Sequence, residues 1–263
     1  MTTNFLTIAL VQTDIVWENK VANLAHYDEL LSKITDKADV IVLPETFATG
    51  FSMQVETLAE PTEGGYICDW MHQKARQFDA AVTGSIITRT ETGHYVNRLT
   101  WVQPDGCIFF YDKRHLFRMG NEHLTYSAGN SRLCVQWRGW RIGLLVCYDL
   151  RFPVWSRRSP DFDYECLIYV ANWPTQRRMA WQQLLKARAI ENLAYVAGVN
   201  RVGTDAKDSY HTGDSTLIDF TGKTVWECAD KESLQVLHLS KNDLEQFRKD
   251  FPAWIDADIF SIK

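Results

Sequence analysis

Residues 139–153 have the sequence Gly139-Trp140-Arg141-Ile142-Gly143-Leu144-Leu145-Val146-Cys147-Tyr148-Asp149-Leu150-Arg151-Phe152-Pro153. A run rich in Ile, Leu and Val ends abruptly in a thiol, which predicts a buried strand with Cys147 at its carboxyl end. Open α/β sheets bind their ligands in the crevice outside the carboxyl ends of their strands. Cys147 is therefore the candidate nucleophile.

Two further apolar runs lead into charged residues. The run 39–43 predicts a strand that ends just before Glu45, and the run 108–111 predicts a strand that ends just before Lys113. Each of these residues alone is weak evidence, because an isolated Cys is usually core and an isolated Lys or Glu is usually solvated. Together they suit one chemistry. A carboxylate can take the proton of a thiol, and a cation can stabilise the oxyanion that forms when the thiolate attacks a carbonyl.

The rest of the chain predicts alternating strands and helices. Pro104-Asp105-Gly106 has the chemistry of a hairpin turn, and several other strands also pair as hairpins, so we expect an α/β fold with a mixed sheet system covered by helices. No repeat or linker divides the chain, so one domain over 1–263 is expected. Strands are predicted at 6–12, 81–87, 95–102, 133–137, 166–171, 195–200, 212–220, 223–227 and 234–239, and helices at 21–34, 65–78, 175–194 and 240–250.

Composition excludes several functional classes. A net charge of −5 without a basic stripe argues against nucleic-acid binding, and no apolar run is long enough to cross a bilayer. The amino terminus lacks the features of a signal peptide, so a cytoplasmic location is expected. The six cysteines are scattered without metal-ligand spacing, so no metal site is expected. The segment 251–263 is too apolar for a free tail and is predicted to dock on its own domain or on a partner subunit.

Three motifs resemble the nitrilase superfamily of carbon–nitrogen hydrolases. They are Leu-Pro-Glu-Thr-Phe at 43–47, Asp-Lys-Arg-His-Leu-Phe at 112–117 and Val-Cys-Tyr-Asp-Leu-Arg-Phe-Pro at 146–153. The segments 172–174 and 188–192 also resemble the family, and the resemblance extends from residue 6 to about residue 240. It implies a nitrilase-like four-layer α-β-β-α sandwich of two mixed sheets flanked by helices. It also implies a catalytic triad of Glu45, Lys113 and Cys147, no cofactor, and a homodimer or higher homo-oligomer.

Within this superfamily the chain is most similar to the bacterial omega-amidase group, which hydrolyses the terminal amide of 2-oxo acids such as 2-oxoglutaramate. The resemblance implies that Glu122 orients Lys113 and the substrate. The expected mechanism is a thioester on Cys147, with the oxyanion held by Lys113 and the backbone N–H of Tyr148. One position departs from related sequences. In many of them a His precedes the Trp of the helix that follows Asn172-Trp173-Pro174, and here that position is Ala180.

An anionic substrate requires a cation away from the triad. Arg151, Arg177 and Arg178 lie in the segments expected at the rim, and the alternative for Arg151 is a structural ion pair that holds its loop. Aromatic side chains at strand ends are expected to form the walls, although such residues are as often part of the core. The expected walls are Phe47, Phe117, Tyr148 and Trp173. The expected substrate-binding residues are Phe117, Tyr148, Arg151, Asn172, Trp173 and Arg177.

Two other functions stay open. The first is another hydrolase of the superfamily, acting on an N-carbamoyl compound or a nitrile. The second is a catalytically silent binding protein of the same fold, against which the presence of Glu45, Lys113 and Cys147 together argues. The sequence pairs no histidine with the thiol, so His115 and His211 are interpreted as structural, as is His123.

Overall fold

The computed structural model describes residues 4–258 and 260–262, in which two mixed β-sheets pack face to face. The first sheet has the strand order β14-β1-β2-β4-β5-β6, with β3 paired to β4. Strands β1, β2 and β4 are parallel, and the other pairs in the main order are antiparallel. The strands are β1 (Phe5–Gln12), β2 (Val40–Val42), β3 (Glu60–Pro61), β4 (Ala81–Arg89), β5 (Tyr95–Val102), β6 (Ile108–Asp112) and β14 (Ser233–Ser240).

The second sheet has the strand order β11-β12-β10-β9-β8-β7, with β13 paired to β12. Strands β8, β9 and β10 are parallel, so their carboxyl ends lie at one edge. The strands are β7 (Leu133–Trp137), β8 (Trp140–Val146), β9 (Cys166–Ala171), β10 (Tyr195–Asn200), β11 (Val202–Thr204), β12 (Tyr210–Ile218) and β13 (Thr224–Ala229).

Burial on both faces explains the apolar runs in the sequence. Along β1, Leu6, Ile8 and Leu10 pack into the core between the sheets, whereas Ala9 and Val11 pack into a core under the outer helices. Side chains alternate between the two faces of a strand, so a strand that is covered on both sides needs apolar residues at nearly every position. Continuous apolar runs rather than alternating ones are the result.

The helices complete four layers. α1 and α3 cover the first sheet, and α6 covers β10 and β12 of the second. This arrangement confirms the predicted α-β-β-α sandwich of two mixed sheets flanked by helices. The helices are α1 (Lys20–Leu31), α2 (Val55–Leu58), α3 (Tyr66–Phe78), α4 (Glu122–Thr125), α5 (Pro153–Ser156), α6 (Arg178–Asn192) and α7 (Lys241–Asp250).

Element boundaries differ from the prediction in three places. α1 ends at Leu31, and the chain continues to Ile34 as a turn. A 3₁₀ turn at Thr175–Arg177 precedes α6, which ends when Leu193 adopts a left-handed conformation with φ +47°. The strand β11 was not predicted, because only three residues form it and its pairing partner β12 lies across a turn.

The carboxyl-terminal segment is only partly docked. Phe251 contacts the ring of Phe247, and the guanidinium of Arg158 lies over the ring of Trp254, but Trp254 remains 50% exposed. Ile259 and Lys263 of the predicted docking segment lie outside the described residues. Within the part of the chain that the structure describes, no helix has the length and apolar character needed to span a membrane.

Candidate active site

A cavity of about 360 Å³ is lined by residues that follow the carboxyl ends of β2, β6, β8 and β9. Glu45 and Lys113 reach it from the first sheet, and Cys147 reaches it from the second. Glu122 lies behind Lys113 and is fully buried. The other nine predicted site residues line the cavity: Glu45, Lys113, Phe117, Cys147, Tyr148, Arg151, Asn172, Trp173 and Arg177.

Two backbone turns with positive φ carry reactive groups. Cys147 opens a 3₁₀ turn directly after β8 and has φ +44°, and Thr46, next to Glu45, has φ +42°. This region is unfavourable for residues with a Cβ atom, especially for a β-branched residue. Such strain persists only when surrounding contacts over-determine the conformation. One such contact is the hydrogen bond of 2.8 Å that the Thr46 amide donates to the Ser85 hydroxyl.

The fully buried carboxylate of Asp149 holds the Cys147 turn. It accepts hydrogen bonds from the Val146 amide (3.1 Å) and the Tyr111 hydroxyl (2.7 Å). It also accepts from the backbone amide of His115 (3.0 Å) and contacts the ring Nδ1 of that residue at 2.7 Å. One carboxylate thus ties the segment that follows β6 to the turn that follows β8.

The Glu45 carboxylate is held by three donors. Its Oε1 accepts from Lys113 Nζ at 2.9 Å and from Asn97 Nδ2 at 2.8 Å. Its Oε2 accepts from the backbone amide of Asn172 at 2.7 Å, and the Asn172 side chain donates to the Glu45 carbonyl oxygen at 2.5 Å. The Cys147 thiol lines the same cavity, and the charge of the Glu45 carboxylate acts on it. Asn172 therefore orients Glu45 in addition to lining the cavity.

Lys113 lies between two carboxylates. Its Nζ is 2.9 Å from Glu45 Oε1 and 3.0 Å from each carboxylate oxygen of Glu122. Glu122 Oε2 also accepts from the Phe117 amide at 2.6 Å. Glu45, Lys113 and Glu122, which we call the buried cluster, are each 1% exposed or less.

The buried cluster carries more negative than positive charge, since it contains two carboxylates and one ammonium. Burial raises the pKa of the Cys147 thiol well above its usual value, and the charge of Glu45 raises it further against the effect of Lys113. Burial alone would lower the pKa of Lys113, but the two carboxylates hold it well above its usual value. Burial also raises the pKa of Glu122. Both effects on Cys147 favour the neutral thiol over the thiolate, so a base within reach of the sulfur is needed to take its proton.

Two guanidinium groups line the cavity with Cys147. Arg151 lies over the ring of Trp173 at 5.1 Å, and Arg177 lies over the ring of Phe117 at 4.8 Å. Burial lowers the pKa of Arg177, Cys147 opposes this effect, and the charge of Arg151 adds to it. Within the described residues neither arginine forms an ion pair with a carboxylate, so the structure does not show the structural ion pair considered for Arg151. Neighbouring guanidinium groups of this kind suit an anionic ligand.

Two rim predictions are wrong. Arg178 is the first residue of α6 and pairs with the buried carboxylate of Asp214 at 2.7 Å, so it does not line the cavity. Phe47 is fully buried, because its ring packs against Tyr27 (5.5 Å) and Trp70 (5.9 Å) in the core between α1, α3 and the first sheet.

Sequence reasoning missed two parts of the site. Asn97 contacts both Glu45 and Glu122, and its only signal was a polar side chain within a buried strand. The turn between β11 and β12 also lines the cavity, with Asp205 Oδ1 accepting from the backbone amides of Lys207 (2.8 Å) and Ser209 (2.9 Å). Asp at the start of a polar segment favours such a turn, and this signal would have predicted the hairpin.

The histidines occupy different environments. His211 lines the cavity, and its ring Nδ1 contacts the Ser209 carbonyl oxygen at 3.0 Å, whereas His115 contacts Asp149. Burial lowers the pKa of His211 to about 4. Among residues 4–258 and 260–262, no group of three His, Cys, Asp or Glu side chains could hold a metal ion.

Comparison with known proteins gives one consistent family. The family model described as carbon-nitrogen hydrolase matches residues 7–249. The chain is 50% identical over 258 residues to "Omega-amidase YafV" of Escherichia coli (strain K12), with 98% of each chain covered. It is 31% identical over 253 residues to "2-oxoglutaramate amidase" of Bacillus subtilis (strain 168), which covers 95% of this chain and 96% of the relative.

Solved structures agree with this result. XC1258 from Xanthomonas campestris, described as a CN-hydrolase superfamily protein, superposes with a TM-score of 0.95 at 44% identity, covering 99% of this chain and 100% of that one. Nit3 from Saccharomyces cerevisiae, described as a member of the nitrilase superfamily, has a TM-score of 0.86 at 26% identity, covering 95% and 96%.

Proposed function

Because this chain belongs to the carbon-nitrogen hydrolase family, we propose that it is an amidase that hydrolyses the terminal amide of a small 2-oxo acid to the acid and ammonia. The substrates are of the 2-oxoglutaramate or 2-oxosuccinamate type. One observation carries the proposal. The Cys147 thiol, the Glu45 carboxylate and the Lys113 ammonium meet in a cavity that two guanidinium groups also line, and neither guanidinium pairs with a carboxylate of the described residues.

In the first half of the proposed reaction, Cys147 acts as nucleophile and Glu45 as general base. The thiol proton moves to Glu45 as the sulfur attacks the amide carbon, and Lys113 and the backbone N–H of Tyr148 stabilise the oxyanion. Collapse of the tetrahedral intermediate breaks the C–N bond. The proton on Glu45 passes to the leaving nitrogen, so ammonia departs and a thioester remains on Cys147.

In the second half, water hydrolyses the thioester. Glu45 takes a proton from the water as its oxygen attacks the thioester carbon, and the same oxyanion contacts stabilise the second tetrahedral intermediate. Breaking the C–S bond releases the carboxylic acid, and the proton returns to the Cys147 sulfur. Glu122 keeps Lys113 in place through both halves, because its two oxygens fix the ammonium from behind.

The cationic side of the cavity supports the choice of an oxo acid. Arg151 and Arg177 are assigned to the substrate carboxylate, and their stacking on Trp173 and Phe117 holds the guanidinium planes in place. The same cations disfavour the ammonium of a 2-amino acid. The names of the omega-amidase and 2-oxoglutaramate amidase relatives support the same substrate class.

An ammonia-release assay tests the proposed function. The panel consists of 2-oxoglutaramate, a neutral amide of the same chain length, an N-carbamoyl amino acid and a simple nitrile. We expect 2-oxoglutaramate to be hydrolysed with a kcat/KM at least about 10-fold higher than that of the neutral amide, because charged hydrogen bonds to the carboxylate contribute about 1.5–3 kcal/mol each.

The control is Cys147→Ala, which should abolish turnover while the protein stays folded. Preference for the carbamoyl compound or the nitrile would replace the proposal with one of the other hydrolase activities. Turnover of none of the four compounds would instead favour a binding protein of this fold. Equal turnover by Cys147→Ala would contradict the role of Cys147 as nucleophile.

Three further features are proposed with this function. Residues 1–263 form one catalytic domain, and the exposed apolar side chains of Phe251, Trp254 and Ile255 support a homodimer or higher homo-oligomer. The protein works in the cytoplasm. The six cysteines are all unpaired, which supports a reducing compartment.

A further inference from the structure

Asn97 contacts all three members of the buried cluster, although it belongs to a different segment from each of them. It is fully buried in β5. Its Nδ2 lies 2.8 Å from Glu45 Oε1 and 3.3 Å from Glu122 Oε1. Its backbone oxygen accepts a hydrogen bond of 2.9 Å from the amide of Lys113, because β5 and β6 are antiparallel neighbours.

The contacts form a closed ring of donors and acceptors. The Oε1 atoms of Glu45 and Glu122 each accept from the Lys113 ammonium and from the Asn97 amide. Both hydrogens of Nδ2 are thereby used. Asn97 Oδ1 has no donor within the described chain. Rotation of the amide would place this oxygen against both carboxylates, so the charges fix the orientation with Nδ2 inside the ring.

We propose that Asn97 is a positioning residue that directs the thiol proton to one oxygen of Glu45 and stabilises the negative charge of both carboxylates. The inference rests on the proposed function. Within the described residues, Oε1 of Glu45 accepts two hydrogen bonds and Oε2 accepts one, from the Asn172 amide, so Oε2 has more acceptor capacity left for the proton of Cys147. A neutral amide supplies donors to both carboxylates without adding a second cation to the buried cluster.

The pH dependence of this arrangement involves groups from every segment packed around it. Burial raises the pKa of the Tyr126 hydroxyl, and Glu122 adds to this effect, so the hydroxyl stays neutral and donates to the Ser52 carbonyl oxygen. Loss of the Asn97 donor leaves the two carboxylates sharing only the ammonium and backbone amides, and they then bind a proton more readily. The titratable and charged groups are Glu45, Lys113, Glu122, Tyr126, Cys147 and Arg177.

Two variants separate this role from a structural one. In Asn97→Ala the acid limb of the kcat/KM profile should move to higher pH by about 0.7 pH unit, the equivalent of one hydrogen bond. Asn97→Asp keeps the shape, but the new carboxyl donates a hydrogen bond only when it is protonated. The activity of Asn97→Asp relative to the wild type should therefore rise as the pH falls, whereas that of Asn97→Ala should fall.

A second measurement does not require the substrate. The rate at which iodoacetamide alkylates Cys147 in the full chain is followed by mass spectrometry across the same pH range, and it should show the same displacement in Asn97→Ala. Thr100→Val is the matched control, because Thr100 is buried on the same strand and its hydroxyl has no partner in the described chain. This control should keep both wild-type profiles.

The outcomes are distinct. If both Asn97 variants keep the wild-type pH profiles and lose only thermal stability, Asn97 is a structural residue and the proposal is wrong. If the wild type hydrolyses no amide, the proposed function fails, but the alkylation profiles still decide the role of Asn97. If Asn97→Ala does not fold, Asn97→Asp decides between the two roles by the sign of its pH trend.

Discussion

His211 places a neutral imidazole at the wall of the cavity. It is 2% exposed, and burial lowers its pKa from 6.5 to about 4, with the nearby charge of Arg201 acting in the same direction. The unfolded chain binds a proton at this residue below pH 6.5, but the folded protein does not do so until about pH 4. Stability from this residue is therefore present above pH 6.5 and is lost as the pH falls towards 4.

His211→Gln tests this linkage. At pH 4 the wild type should have lost about 3 kcal/mol of unfolding free energy through His211, whereas the variant lacks a group that titrates there. Its amide can still donate to the Ser209 carbonyl oxygen. The measurement is urea unfolding at several pH values between 7.5 and 4, with the exposed His94→Gln as control. Parallel stability curves for wild type and His211→Gln would contradict the prediction.

Sequence patterns predicted some site residues better than others. Glu45, Lys113 and Cys147 each follow an apolar strand, so the end of the hydrophobic run marked each position before any fold was known. Asn97 lies inside a strand, and nothing in residues 95–102 shows that its amide reaches two carboxylates from distant segments. Its role depends on the register of β5 with β6, which only the folded chain defines.

At the scale of elements, the 3₁₀ turn after β8 depends on one carboxylate. All contacts of Asp149 are to donors, and the Tyr111 hydroxyl must donate to it, because that oxygen already accepts from the Trp155 ring N–H (2.9 Å) and the Arg114 amide (3.1 Å). In an asparagine at this position, the side-chain NH₂ group would replace one of the two oxygens. It would then face donors that have lost their acceptor.

Asp149→Asn should therefore destabilise the protein by about 3 kcal/mol, since buried donors lose their acceptor. The kcat should fall by about 100-fold, because the reactive groups move apart by a fraction of an ångström to an ångström. Urea unfolding and steady-state kinetics measure the two effects. Asp219→Asn is the control, because that carboxylate also accepts several hydrogen bonds in a turn but lies in the β12–β13 hairpin. A normal kcat for Asp149→Asn would contradict the prediction, because it would mean that the turn keeps its conformation without the Asp149 carboxylate.

Predicted and observed elements differ where tertiary contacts decide the boundary. The apolar periodicity of 175–194 could not show that its first three residues form a 3₁₀ turn, since Trp173 ring Nε1 donates to the Arg177 carbonyl oxygen and holds that turn closed. The short strand β11 exists because β12 pairs with it. By contrast, β8 and β9 were predictable, because their apolar runs are buried on both faces.

At the scale of the whole molecule, the segment after α7 exposes several large apolar side chains. Phe251, Trp254 and Ile255 are each at least half exposed. Deletion of residues 251–263 should leave the fold and the cavity intact but convert the proposed oligomer to a monomer, because apolar patches of this kind mark protein interfaces. Sedimentation analysis at several concentrations measures the change.

The control is Val21→Ser, which removes an exposed apolar side chain from α1, far along the chain from this segment. It should leave the association unchanged. Unaltered sedimentation of the truncated chain would place the interface on another surface.

The sequence predicted an apolar carboxyl-terminal segment that docks, yet it could not choose between its own domain and a second subunit. The pairing of the two sheets was equally beyond composition and periodicity, and the family resemblance supplied it.

The excess negative charge of the buried cluster also bears on how the protein survives oxidative stress. Peroxides oxidise thiolates far faster than thiols. Burial and the charge of Glu45 raise the pKa of the Cys147 thiol and so favour its protonated form, and only 9% of the residue is exposed. The sulfur therefore becomes a strong nucleophile only when an electrophilic carbon occupies the cavity. Peroxide is therefore expected to oxidise Cys147 more slowly than a cysteine that is exposed and already ionised.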